Sequence, residues 1–159
     1  KTQNSADTRH WETAVERWRE YSGCTYPETK FYIFESSSFL ANLEAGNPDT
    51  VECAVRYLEF DPYYFRSGYI KGKLLTKLKQ LRLSADQKIR LQRVILNAIV
   101  SPLPKTEFNA YLRLIPQIRD IEWDDAFAEL KVPNTPWNQE RKQVVQNRIS
   151  ELGKDYHDR

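Results

Sequence analysis

Start and stop signals of α-helices recur along the whole chain, and they limit its possible folds more than any other feature. Asn47, a residue type favoured at the N-cap, is followed by Pro48, which fits the first helical position. Ser84 and Gln87 have the spacing of a capping box. Between such signals, apolar residues recur every three or four positions, as they do on one face of a helix. The chain is therefore predicted to be all-α.

The same signals indicate seven to eight helices in chain order. A helix is expected from Asp7 to Tyr21, and the less regular stretch from Lys30 to Gly46 is expected to be mostly one helix. The remaining helices are predicted at about 48–61, 67–81, 85–100, 106–116, 123–130 and 136–153. Residues 1–6 and 154–159 are mostly polar and are expected to fray.

The helix predicted at about 85–100 has apolar residues on two sides. One side consists of Leu91, Val94, Ile95 and Ala98, and the other of Ile89, Leu96 and Val100. We expect this helix to be central and to pack against neighbours on both sides. With short connections between helices, this arrangement favours layered antiparallel helical hairpins, in an α-solenoid or an irregular bundle.

The span from Asn47 to Ile118 resembles the HEAT and armadillo class of helical repeat proteins. It is predicted to contain two helical hairpins of about 35 to 40 residues each, which is the repeat length of that class. The resemblance implies a layered α-helical fold and no particular activity. The segment LEFDPYYFRSGYIKGKLL is also similar to helical proteins of unassigned function from bacteria.

Length and composition indicate one folded domain across residues 1–159. A chain of 159 residues with 40% hydrophobic and 29% charged residues is long enough to bury one core. It contains no run of 18 apolar residues and no apolar leader at its start, so we expect no membrane segment. Cys24 and Cys53 lack CxxC spacing, which favours the cytoplasm, although a single bridge between them stays open.

Motifs that carry chemistry are sparse. His10 and His157 have no neighbours at metal-ligand or triad spacing, and the chain has no HExxH, GxSxG, Walker or GxGxxG motif. We therefore expect a non-enzymatic protein without metal or organic cofactor. Four acids could offer oxygen ligands to Mg²⁺ or Ca²⁺, but the preferred interpretation is the start of a helix: Asp120, Glu122, Asp124 and Asp125.

Charge is strongly segregated along the chain although the formal net charge is only +2. From Arg66 to Arg93 there are nine basic residues against a single acid, Asp86. The preceding stretch from Glu35 to Asp61 has six acids against one basic residue. Such a pattern can attract an anionic partner, or it can be an ordinary solvated surface.

These observations predict a helical interaction module, such as a scaffold, an adaptor or an immunity-type inhibitor, that binds an acidic partner protein. Tyrosine and arginine are common interface anchors, and exposed lysines steer association. The predicted contact residues are Tyr63, Tyr64, Arg66, Tyr69, Lys71, Lys73, Lys77 and Lys79.

Three alternatives stay open. The basic hairpin 66–93 could bind RNA or DNA, and an enzyme site could assemble from scattered acids and tyrosines. In the third, Tyr64 and Phe65 are buried between neighbouring helices and have a structural role.

Overall fold

The computed structural model describes residues 12–13, 15–18, 20–21, 31–64, 66–103 and 105–157. Residues 12–13, 15–18 and 20–21 are helical, as predicted, and no strand occurs in the ranges just given. The all-α prediction is confirmed. A 3-10 helix at Phe31–Glu35 precedes seven α-helices: α1 Ser37–Glu44, α2 Pro48–Phe60, α3 Ser67–Leu78, α4 Ala85–Val100, α5 Phe108–Ile118, α6 Ile121–Ala128 and α7 Pro136–His157.

The predicted caps are present at the starts of two central helices. The Asn47 side chain accepts a hydrogen bond from the Thr50 N–H at 3.0 Å, and Pro48 is the first residue of α2. At the start of α4, Ser84 and Gln87 form the reciprocal capping box. These local bonds satisfy N–H groups that have no partner within the helix, and so they fix where each helix begins.

Several predicted boundaries were wrong, among them the end of α3, which lies at Leu78 and not at about 81. Residues 30–46 do not form one helix, because Ser36 separates the 3-10 helix from α1 and caps α1 by accepting from the Phe39 N–H. Pro116 does not end α5, which continues to Ile118. The last helix does not stop at Gly153 but continues to His157.

The helices from α2 to α5 form two layers. Helix α2 packs on α4, and α3 packs on α5, while the consecutive pairs α2 with α3 and α4 with α5 are also in contact. Helix α7 packs against α4 and α5, and α1 packs against α2 and α3. The result is a stack of helical hairpins, in which α3 and α5 lie side by side in the same layer.

Helix α4 is central, but it is buried mainly on one side. Leu91 and Ile95 are fully buried, as predicted. The second predicted face is wrong in part, because Ile89 is 42% exposed and Leu96 is only partly buried. Its neighbours α2, α5 and α7 therefore cover one wide face of α4 and leave the Ile89 side open to solvent.

A candidate partner-binding groove

A groove of about 730 Å³ lies along the contact between α3 and α5. On α3, Tyr69, Lys73 and Lys77 follow one another at four-residue spacing, which places them on one face of the helix. On α5, Asn109 and Arg113 have the same spacing and line the opposite side. Two rows of polar and cationic side chains therefore border the groove.

An exposed aromatic ring lies at one end of the α3 row. Tyr69 is 55% exposed, and the Lys73 ammonium nitrogen lies 4.5 Å from the centre of its ring. The Arg66 guanidinium carbon lies 5.6 Å from the same centre. Two cations at these distances hold the ring by cation–π attraction and keep it at the surface.

The floor of the groove contains two glycines of α3. A Cβ added at Gly68 would lie 2.2 Å from Thr106 Oγ1 and 3.0 Å from Glu107 Oε2, so glycine is needed for the close approach of the segment before α5. A Cβ at Gly72 would meet nothing within 4 Å. Gly72 therefore leaves open space in the middle of the groove. Leu40 of α1 and Ala110 of α5 contribute apolar side chains to the groove lining.

Lys71 was predicted to lie at the contact surface, and the structure places it in the interior. Its side chain is 2% exposed, and its Nζ lies 2.5 Å from Asp61 Oδ1 and 3.6 Å from Glu107 Oε1. The other oxygen of Asp61 accepts from Lys105. Burial lowers the pKa of Lys71, against the opposing effect of Asp61. The reason for the error is helical position: Lys71 is on the buried side of α3, with Leu74 and Leu75.

The segregated charges of the sequence pair with each other across helices. Glu35 accepts from Arg66 at 2.8 Å, and Glu44 pairs with Lys77. Arg90 is held by Glu59 and Glu52, at 2.5 and 2.9 Å, and it also bonds Asp86. Four of the nine basic residues between Arg66 and Arg93 are thus paired with carboxylates of the same chain: Arg66, Lys71, Lys77 and Arg90.

The remaining predicted contact residues lie outside the groove. The hydroxyl oxygens of Tyr64 and Tyr57 are 2.7 Å apart, and Tyr64 is half-buried against the core, as in the structural alternative for this residue. Phe65 lies outside the described residues. Tyr63 is 55% exposed, Arg66 is exposed and Lys79 is half-buried, but none of them lines the groove. The groove residues that were not predicted from the sequence are Leu40, Gly68, Gly72, Thr76, Thr106, Glu107, Asn109, Ala110 and Arg113.

The acidic group at 120–125 marks a helix start, as preferred in the sequence analysis. Asp120 caps α6 by accepting from the Trp123 N–H at 2.8 Å, and its other oxygen accepts from Gln92. Arg119 forms a bidentate pair with Asp124. In the part of the chain that the structure describes, no group of three or more His, Cys, Asp or Glu residues is arranged to hold a metal ion. None of the described helices has the length and apolarity that crossing a membrane requires.

Comparisons with protein-family models, with curated protein sequences and with solved structures find no match to this chain. The resemblance to HEAT and armadillo proteins therefore stays a prediction.

Proposed function

We propose that this chain is a non-enzymatic helical interaction module, in the manner of a scaffold, an adaptor or an immunity-type inhibitor. Its partner presents an acidic segment to the groove between α3 and α5. One observation carries the proposal: the row Tyr69, Lys73 and Lys77 borders the groove opposite Asn109 and Arg113. The proposal includes a cytoplasmic location, because the two cysteines lack disulfide or CxxC patterning.

The charge of the groove supports an acidic occupant. Its lining contains three cations, Lys73, Lys77 and Arg113, and one acid, Glu107, which is buried beside Lys71. Among the described residues, Lys73 and Arg113 form no ion pair, whereas Lys77 forms an ion pair with Glu44. A carboxylate that enters the groove therefore finds two uncompensated charges on opposite walls, which favour its association.

The apolar and aromatic part of the groove supports a protein over a nucleic acid. Tyr69, Leu40 and Ala110 offer surface to side chains that accompany carboxylates in a protein segment. Nucleic-acid binding needs several cations that follow a phosphate backbone. Arg66, Lys71, Lys77 and Arg90 of the basic segment are already paired with acids.

The experiment uses a fluorescein-labelled peptide rich in glutamate and leucine, and it measures anisotropy at physiological salt. Lys73→Glu and Arg113→Glu should each weaken binding by about tenfold, since each reverses a charge at the groove wall. Lys131→Glu is the matched control, because it changes the net charge equally at an exposed position outside the groove. Equal effects of all three variants, or no binding to the wild-type chain, would refute the proposal.

Single-stranded oligothymidylate distinguishes the nucleic-acid alternative. If it binds more tightly than the peptide at the same salt concentration, and if its affinity falls steeply as salt rises, the partner is a nucleic acid.

The variant Tyr69→Ala tests the role of the exposed ring in binding the glutamate-rich peptide. The peptide should dissociate several times faster from this variant, while the stability of the fold stays unchanged because Tyr69 is more than half exposed.

A further inference from the structure

A smaller recess lies beside the groove, and Thr106 lines both of them. The recess has a volume of about 380 Å³ and is lined by Pro102, Lys105, Thr106, Trp137 and Arg141. Pro102 and Trp137 are apolar wall residues, and the Trp137 side chain is 48% exposed. Among the described residues, the lining includes two basic residues and no acid. Nothing in the proposed function uses this recess.

Arg141 is the unusual residue of the recess, because its guanidinium is buried without a carboxylate. The residue is 8% exposed, and no ion pair to it occurs within the described residues. Its Nη1 donates to the carbonyls of Ala98 and Ser101 at 3.1 and 2.9 Å, and its Nη2 donates to the carbonyl of Leu103 at 2.9 Å. These bonds hold the guanidinium in one orientation.

Three of the five N–H donors of Arg141 are used in this way. The Nε–H and the second N–H of Nη2 have no acceptor in the described parts of the chain. Nε and Nη2 form one edge of the planar group, and such an edge can bind a carboxylate in bidentate fashion. The guanidinium carbon also lies 5.7 Å from the centre of the Phe108 ring, which fixes the group further.

The surrounding carboxylates compensate the charge of Arg141 only in part. Two carboxylates, Asp61 and Glu107, lie in the buried cluster with Lys71 and Lys105. Those four groups are neutral together, and Glu107 and Glu140 act on Arg141 through space without forming an ion pair with it. The carbonyls at the end of α4 offset part of its charge through the helix dipole. Burial nevertheless lowers the pKa of Arg141, which is the direction expected when compensation is incomplete.

We propose that this recess is a second binding site, separate from the groove, which takes a carboxylate carried on an aromatic group. The carboxylate binds the free edge of the Arg141 guanidinium, and the aromatic ring packs between Pro102 and Trp137. Apolar walls with one oriented cation are the usual composition of a small-ligand site. The ligand is a small aromatic acid or the C-terminal aromatic residue of a peptide, since both carry the same two groups.

The test uses hydrocinnamate as the probe and its neutral amide as the matched control, with NMR detection of side-chain N–H groups. Hydrocinnamate should shift the resonances of the Arg141 Nε–H and the Trp137 indole N–H along one saturable curve. The amide should shift neither at the same concentration. A glycyl-glycyl-phenylalanine peptide with a free carboxylate forms the second arm. Tighter binding of the peptide assigns a chain terminus, and tighter binding of hydrocinnamate assigns a small acid.

Single substitutions distinguish a loss of hydrocinnamate binding from a loss of folding and from an effect on the groove. Arg141→Lys retains the charge but loses the paired donors, and it could also unfold the end of α4. Trp137→Ala avoids that problem because the side chain is half exposed, and it should weaken hydrocinnamate binding at least fivefold. Tyr63→Ala, an exposed aromatic residue outside the recess, should change nothing. Lys73→Glu should weaken the acidic peptide of the groove and leave hydrocinnamate binding unchanged.

Three outcomes would overturn this second site: no shift at Arg141, equal shifts with the amide, or an unchanged affinity in Trp137→Ala. None of them bears on the groove, which is tested by its own peptide and its own charge reversals.

Discussion

Lys71 Nζ lies 2.5 Å from Asp61 Oδ1, in a cluster that joins the end of α2 to the start of α5. Asp61 caps α2 in the left-handed conformation, with φ of 48° and ψ of 51°. Aspartate is one of the few non-glycine residues that adopt this conformation regularly. Its carboxylate also accepts from Lys105. The ion pairs therefore connect the residue that ends α2 to α3 and to the segment before α5.

Replacing Lys71 by Met should lower the free energy of unfolding by about 3 kcal/mol, because Glu107 would keep a buried charge without its partner. Chemical denaturation measures this loss. Lys73→Met is the matched control on the same helix, and it should change stability by less than about 0.5 kcal/mol since Lys73 has no ion pair in the described structure. A mild effect at both positions would mean that Lys71 is not interior in solution.

Two buried tyrosines should make the protein sensitive to alkali. Burial is the first cause that raises the pKa of both Tyr57 and Tyr111 above the ordinary value of 10.0. The folded state then holds these protons at a pH where the unfolded chain releases them. The contribution of the two tyrosines to the free energy of unfolding is fully present below pH 10.0. It is lost as the pH rises above that value, by about 1.4 kcal/mol per pH unit for each tyrosine.

Tyr57→Phe measures one of these contributions. Denaturation of the wild type and of Tyr57→Phe at several pH values from 9 to 11 should give a loss that is less steep in the variant, by up to about 1.4 kcal/mol per pH unit. Lys71, whose pKa is lowered, works in the opposite direction, and Tyr21, whose pKa is raised by burial, works in the same direction. Both residues are present in both proteins, so their effects cancel in the difference between the two slopes. At neutral pH the variant should lose about 1 kcal/mol with the bond to Tyr64. Equal slopes would contradict the assigned burial of Tyr57.

The sequence was sufficient to predict those features of the fold that depend on interactions between residues close together in the chain. The caps at Asn47 and Ser84 involve residues three positions apart, so their letters alone predict the bonds that form. The buried stripe of α4 was also predictable, because Leu91 and Ile95 are one turn apart. The order of the helices followed from such signals.

The candidate site was less predictable because it depends on which helices are neighbours. Glu35 and Arg66 are 31 positions apart, and Glu44 and Lys77 are 33 apart, so their pairing required the packing of α1 and the 3-10 helix against α3. Arg113 reaches the groove for the same kind of reason. A helical wheel could have separated Lys71 from Lys73, since the apolar residues Leu74 and Leu75 define the buried side of α3.

Helix α4 offers a direct test of the core. Leu91→Ala and Ile95→Ala should each destabilise the fold by about 2 to 5 kcal/mol, because both side chains are fully buried and a cavity would remain. Ile89→Ala on the same helix is the control, and its cost should stay below about 1 kcal/mol since the side chain is 42% exposed. Thermal or urea denaturation of the three variants suffices. Similar losses at Ile89 and Ile95 would show that α4 is rotated from the position described.

Replacing each of the two groove glycines of α3 by alanine should change the stability of the fold in opposite directions. At Gly68, the new Cβ would lie 2.2 Å from Thr106 Oγ1, so α3 and the segment before α5 would have to move apart. We expect a loss of about 1 to 3 kcal/mol, as for other overpacked contacts. At Gly72, the new Cβ meets nothing within 4 Å, and alanine is the better helix former, so we expect a gain of up to about 1 kcal/mol.

The same pair connects stability with binding. Gly72→Ala adds a methyl group to the open middle of the groove, so the glutamate-rich peptide should bind this variant less tightly although the fold is more stable. Gly68→Ala/Thr106→Ser retains the clashing hydroxyl, whereas Gly68→Ala/Thr106→Ala removes it and should recover part of the lost stability. Urea denaturation and peptide anisotropy on these variants measure both effects. If Gly72→Ala binds the peptide as tightly as the wild type, the middle of the groove is not occupied, and the contact is limited to its cationic walls.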